Sequence, residues 1–350
     1  MSTEAIKKRE LWIDTLRGIA IFCVLIHHQM NEAPLFTQFY APFFMPVFFF
    51  VSGYLYKYSG VKDNFRRICR TLLWPYVAFS YIANCCAPVF IRNIQDGEVI
   101  EYLCGVTHRL LLGKTFWFIA CLIIVQIIYT VLSYIFSKQK NKIWKIVVAV
   151  IGMLCIYVVR RDEPAYLPWH IDTACFTISF FALGDLFKYI NIKNISENKR
   201  WRYVSWCVLA LYIATTVYFN WGRYGIDIDV NCNIYNNTTL SLFLIIFGCI
   251  SLILFSLCNN CGNFVSRLGA NTLVIYCLHG GFGLGISSAI FNRLQILEWC
   301  QSPYIHTLLV ACLAGIIMLI IAYIINNYFA FLLGKTRKIN RTQCPINKSN

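Results

Sequence analysis

Long apolar runs alternate with short polar stretches along almost the whole chain. Ten such runs fall near residues 11–30, 39–57, 71–91, 115–137, 143–160, 171–190, 203–221, 238–258, 272–292 and 304–333. About twenty apolar residues in a helix span the hydrocarbon core of a bilayer, so each run is near spanning length. The pattern predicts an all-α fold, a polytopic bundle of about ten transmembrane helices forming one domain over residues 1–334. The last run is long enough to be tilted or partly interfacial. The first is expected to stay in the mature protein, because it holds Asp14, Arg17, His27 and His28 and no small-residue cleavage site follows. The loops are too short to bury a soluble core. Residues 335–350 read as a disordered cytoplasmic tail.

Composition agrees. The 350 residues are 58% hydrophobic and 16% aromatic, with 13% charged, and the mean hydropathy is +0.59. Charge then orients the bundle. With the N-terminus placed in the cytoplasm and the segments alternating, 23 of the 31 Lys and Arg fall on the inner side and seven on the outer; Arg17 lies within the first segment. That asymmetry follows the positive-inside rule and predicts both termini in the cytoplasm. The net charge of +15 is thus mostly a topology signal. The basic residues are spread over many short loops, which argues against a nucleic-acid partner; the bilayer is the partner expected.

Most of the 17 cysteines lie inside apolar runs, where they act as small hydrophobes. Cys258 and Cys261 make a single CxxC without a partner pair, so no metal is expected. Cys104, Cys232 and Cys300 fall in outer loops, where pairing in an oxidising compartment is open.

Candidate chemistry begins in the first run. Arg17 and His28 are eleven positions apart, which returns an ideal helix to within about 20° of the same face. Asp14 precedes Arg17 by one turn. One stripe therefore carries a carboxylate, a guanidinium and, roughly 16 Å along, an imidazole. Two readings stand: an interfacial ion pair with a headgroup-anchoring histidine, or a reaction centre inside the membrane. His27 points about 100° away and reads as the non-catalytic neighbour.

The second run is dominated by aromatic rings. Pro42 and Pro46 make its outer half irregular, and Ser52-Gly53 permit close helix approach. Arg66, Arg67 and Arg70 follow within five positions at the inner membrane face. Guanidinium forks suit phosphate, so they are either a lipid-phosphate anchor or a docking site for a phosphorylated cytosolic molecule.

Together these pieces resemble the bacterial integral-membrane acyltransferase 3 family, the O-acyltransferases of surface polysaccharides. The resemblance rests on Arg17 and His28 with ten residues between them, on Phe48-Phe49-Phe50-Val51-Ser52-Gly53 for FFxxSG, and on Arg67-Ile68-Cys69-Arg70 for RxxR, followed by Leu73-Trp74-Pro75-Tyr76. Thr115-Phe116-Trp117-Phe118 is similar to the start of a mid-chain helix in that family. Leu167 to Asp172, running into Phe180-Phe181-Ala182-Leu183-Gly184, resembles the fucose 4-O-acetylase-like branch. Leu268-Gly269-Ala270-Asn271-Thr272 with Tyr276-Cys277-Leu278-His279 resembles the closing element, with Asn-Thr where serine is common. The matched pieces span about residues 10–333.

The resemblance implies an acyl-CoA, most often acetyl-CoA, as cytosolic co-substrate, a glycan or lipid-linked sugar as acceptor, and a bacterial inner membrane as location. It implies His28 as general base or transient acyl carrier, with Arg17 and Asp14 beside it in the catalytic group. It implies donor binding by Arg66, Arg67, Arg70 and Ser52. His28 lies near the outer end of its helix, so the pantetheine arm must thread into the bundle, or the bundle is thinned there. Acceptor contacts are expected from Trp117, His170, Asp172 and His279. Each has a plainer reading: interfacial anchoring for His170 and Asp172, a structural hydrogen bond for His279, and an aromatic belt for Trp117, Trp169 and Tyr76.

The rival class is a transporter or flippase for lipid-linked sugars, or another polysaccharide-biosynthesis membrane protein. Such transporters often show two related halves with interrupted helices. This chain lacks that internal symmetry, and its reactive residues crowd into the first 76 positions.

Overall fold

A computed structural model describes residues 10–29, 34–86, 99–139, 141–221, 227–294 and 302–335. The tail beyond Lys335 and Cys300 lie outside the described residues. Helix dominates what is described. In chain order the helices are α1 (Leu11–His27), α2 (Pro34–Tyr40), α3 (Phe44–Tyr54), α4 (Val61–Ile68), α5 (Trp74–Tyr81), α6 (Val99–Leu111), α7 (Trp117–Ile135), α8 (Ile143–Val159), α9 (Ile171–Phe187), α10 (Lys193–Ser196) and α11 (Lys199–Trp221). Then come α12 (Thr238–Cys258), α13 (Gly262–Ala270), α14 (Thr272–Leu278), α15 (Gly285–Arg293) and α16 (Pro303–Tyr328). Between α11 and α12 a two-stranded antiparallel hairpin pairs Ile228–Asp229 with Ile234–Tyr235.

The all-α expectation holds, with helices apolar enough for a membrane protein. Five are long and apolar enough to cross on length and composition: Trp117–Ile135, Lys199–Phe219, Thr238–Cys258, Thr272–Arg293 and Pro303–Tyr328. The other five expected runs form shorter or broken helices. A turn at residues 41–43, which contains Pro42, separates α2 from α3, and Pro46 lies in the first turn of α3. π-turns at Cys69–Leu73 and Ile82–Cys86 interrupt the run around α5. α1, α8 and α9 have 17 residues each.

Two helix crossings set the bundle around α1 and α3, and both depend on paired glycines. A Cβ on Gly18 would strike the Val265 carbonyl of α13, and one on Gly269 of α13 would strike the Asp14 carbonyl of α1. The same reciprocity links α3 and α9, where Gly53 lies against the Phe181 carbonyl and Gly184 against the Phe50 carbonyl. Small residues at both sides of a crossing let backbones touch. Ser52-Gly53, read from sequence as a close-approach element, therefore meets its counterpart at Gly184.

The aromatic centre follows from these crossings. Phe48 and Phe49 pack on Phe118 at ring separations of 5.5 and 5.0 Å, and Phe118 packs on Tyr276 at 5.5 Å. A polar cluster closes the bundle at the end where α1 begins. Buried Asp185 takes Lys145 and Lys188, each at 2.6 Å, and a hydrogen bond from the Tyr129 hydroxyl at 2.8 Å. Two ammonium groups share one carboxylate there, so the buried charge is paired and one positive charge is left over.

Candidate active site

Three cavities stand in series through the bundle. A vestibule of about 740 Å³ opens where α1 begins and is lined by Glu10, Asp14, Arg17, Lys57 and Lys188 among others. It shares Arg17, Leu55, Tyr56 and Ala270 with a cavity of about 370 Å³ that also holds Ser52, Arg67 and Gln126. Beyond lies a third cavity, of about 480 Å³, lined by His27, His28, Trp117, Arg109, Lys114, Asp229, Asn231 and His279. A single residue, Tyr276, belongs to the walls of both the second and the third. Helices α7 and α14 wall both the second and the third cavity, the second through Phe118, Leu122 and Tyr276 and the third through Trp117, Tyr276 and Cys277.

α1 carries the first two anchors of this path. Arg17 faces the vestibule and the second cavity, whereas His28 faces the third. Asp14 is buried and shares the vestibule wall with Arg17. The helix ends at His27, and His28 follows with φ −76° and ψ 2°, outside regular helix. For that reason the 100° separation of an ideal helix does not take His27 out of the cavity; both rings line it. Tyr40 occupies His27, with its hydroxyl 3.4 Å from Nδ1.

His28 and His279 lie together, their ring centroids 4.5 Å apart. His279 is buried and its Nδ1 is 2.7 Å from the Tyr276 carbonyl oxygen. A carbonyl only accepts, so Nδ1 carries the proton and Nε2 is left bare. The backbone makes this site possible. Directly after α14 the chain enters a π-turn, His279–Leu284, in the glycine-rich sequence HGGFGL. π-turns within helices often occur at functional sites, since they redirect side chains off the α-helical phase.

Tyr276 is fixed between the cavities by the Phe118 backbone N–H, which donates to its hydroxyl oxygen at 3.2 Å. Its own O–H proton is left to point elsewhere. Ser52 donates to the Phe48 carbonyl at 2.8 Å, so its hydroxyl proton is used within α3 although the residue lines the second cavity.

The arginines separate. Arg67 lines the second cavity, donates to the Lys57 carbonyl at 2.8 Å, and holds its guanidinium 5.7 Å from the centre of the Tyr56 ring. Arg66 and Arg70 are exposed and line none of the three cavities. The π-turn that starts at Cys69 breaks the three-residue phase on which Arg67 and Arg70 would share a face. Arg70 instead backs onto Gly334, whose φ of +65° and close approach leave no room for a side chain.

The acceptor-side expectations divide likewise. Trp117 and His279 line the third cavity with His28, whereas His170 and Asp172 do not. Asp172 ion-pairs with Arg161 at 2.9 Å and accepts from the Leu167 and Thr173 backbone N–H groups. Its carboxylate is committed to holding the turn before α9. Trp169 and His170 enter that turn with φ of +59° and +53°, a left-handed pair that costs about 1–3 kcal/mol per residue. Hydrogen bonds from Trp169 to the Leu111 and Leu112 carbonyls, at 2.9 and 3.0 Å, hold it there. Tyr76 bonds to the Leu110 carbonyl and packs on Trp169, away from the cavities.

Residues with no motif of their own complete the site. Lys57 and Lys188 line the vestibule, but in sequence they read only as part of the inner charge bias. Arg109, Lys114, Asp229 and Asn231 reach the third cavity from loops and from α6. Tyr276 stands in the closing element Tyr276-Cys277-Leu278-His279, of which only His279 is read from sequence as a site residue. Cys104 and Cys232 are both free thiols. Burial, and then the Asp229 carboxylate beside it, push the Cys232 thiol up to about 12. Among the described residues, no three His, Cys, Asp or Glu side chains converge as a metal site.

The sequence profile of the acyltransferase 3 family, described as an acyltransferase domain, matches residues 10–327. The chain belongs to this family. It is an integral-membrane member, and the match takes in the helices that line all three cavities. It is also 37% identical over 70 residues to the inner membrane protein YcfT of Escherichia coli (strain K12), a stretch covering 15% of this chain and 20% of that protein. The similarity thus spans about a fifth of that relative's length. No solved structure matches the chain.

Proposed function

We propose that this acyltransferase moves an acyl group, acetyl foremost, from cytosolic acyl-CoA to a sugar hydroxyl of a cell-surface or lipid-linked glycan, in a bacterial inner membrane. The observation that carries this reading is the series of cavities meeting at Tyr276, with Arg17 and Arg67 on one side and His28 and His279 on the other.

Cations beside the vestibule and the second cavity support a donor entering there. Arg17, Lys57 and Arg67 offer cations to a phosphate-rich nucleotide, with Glu10 and Asp14 also on the vestibule wall. The second cavity, walled by Phe48, Phe118, Leu122 and Leu273, suits a thin and largely uncharged arm. The third cavity suits a sugar, because Trp117 offers a ring face and Asn231 offers an amide.

The chemistry then falls to His28. Its imidazole takes the proton from the sugar hydroxyl, and the oxygen attacks the thioester carbonyl carbon. The C–S bond breaks, and the departing thiolate takes the proton back from His28. His279, held by Tyr276, presents a bare nitrogen beside His28 and supports the imidazolium formed in passing. The Tyr276 hydroxyl borders the point where both substrates meet and is a donor for the carbonyl oxygen that gains charge.

The test is transfer itself. Purified full-length protein is incubated with radiolabelled acetyl-CoA and surface glycan from its host cells. The expected result is alkali-labile label on the glycan, reduced about 10²–10⁴-fold in His28→Ala. No label with the wild type, or an unimpaired His28→Ala variant, would refute the proposal.

A further inference from the structure

The third cavity carries charge that its chemistry does not require. Arg109 and Lys114 both line it, together with one carboxylate, Asp229. The carboxylate is partly engaged: Asp229 Oδ1 accepts from the Asn231 and Cys232 backbone N–H groups at 2.8 and 3.3 Å. Arg109 and Lys114 have no carboxylate within 4.0 Å among the described residues. Lys114 instead stands 5.5 Å from the centre of the Tyr166 ring. Among the described residues the cavity wall therefore holds one more cation than anion, before any histidine is charged.

Topology makes this more informative. Cations on the outer side work against the positive-inside bias, and only seven of the 31 Lys and Arg fall there by the charge pattern. Two of those seven meet at one cavity wall. Asn231 lines the same wall, with its Oδ1 shielded from the cavity space and without a donor among the described residues.

We infer that the acceptor is an anionic sugar, one bearing a carboxylate or a phosphate close to the hydroxyl that is acylated. Arg109 and Lys114 bind the anion, and Trp117 takes the ring face. The assignment rests on the reading of this cavity as the acceptor site, and it names the acceptor's class. Carboxylate and phosphate share the chemistry that a guanidinium and an ammonium recognise.

The experiment reads binding, so that it stands apart from catalysis. Full-length protein in detergent is titrated by calorimetry with methyl glucoside, methyl glucuronide and methyl glucoside 6-phosphate. The wild type is expected to bind at least one charged sugar about tenfold more tightly than the neutral one, the difference a charge-assisted contact supports. The Arg109→Gln, Lys114→Gln double variant is expected to erase that preference, and added salt to weaken it. Which charged sugar binds more tightly identifies the anion. Equal binding of all three sugars, binding of none, or a preference that survives in the double variant overturns the inference. Selective anion binding without acetyl transfer in the labelling assay would leave the anion-binding wall standing and remove the enzymatic reading, and with it the assignment of the bound sugar as acceptor.

Discussion

At the scale of single residues, the site turns on which histidine faces the acceptor and what holds it. His27 and His28 line the same cavity, but Tyr40 engages His27 while His28 faces His279. His27→Ala is therefore expected to lower the rate of acetyl transfer less than about tenfold, whereas His279→Ala, which leaves His28 without its neighbour, lowers it about 10–10²-fold. Initial rates of glycan acetylation with saturating acetyl-CoA check this. A larger loss from His27→Ala than from His279→Ala would reverse the assignment. The Arg17–His28 spacing was legible in the sequence because helical phase is a local property. The departure at His28 was not, because the end of α1 depends on how the following turn packs.

Elements are held where they are by small residues, and this can be tested without any substrate. A Cβ at Gly269 would meet the α1 backbone beside Asp14, and no rotamer change relieves a clash with backbone. Gly269→Ala should destabilise the protein by about 1–3 kcal/mol, since α1 and α13 must separate. Thermal melting in detergent would show the shift. An unchanged melting temperature would mean that the crossing does not set the spacing of α1. At this scale the sequence disclosed which stretches are apolar and where Ser52-Gly53 permits close approach. It did not disclose the π-turns at Cys69 and His279, which take Arg70 away from Arg67 and place His279 beside His28. A π-turn is fixed by packing against other helices, so periodicity alone carries no sign of it.

For the whole molecule, the apolar runs predict an all-α membrane bundle, and the fold agrees. The number of complete crossings is less legible, because interrupted helices share the apolar signal of continuous ones. The hairpin Ile228–Tyr235 brings Asp229 and Asn231 to the third cavity across a long sequence distance, which no local pattern foretells. The central claim belongs to this scale: donor and acceptor enter by opposite faces and meet at Tyr276. Sealed vesicles of both orientations, each containing acceptor glycan, test it directly, because acetyl-CoA does not cross an intact bilayer. Added acetyl-CoA is expected to support O-acetylation in inverted vesicles, and in right-side-out vesicles only after permeabilisation. Acetylation in intact right-side-out vesicles would contradict the account, since it would put the Arg17 vestibule on the outer face.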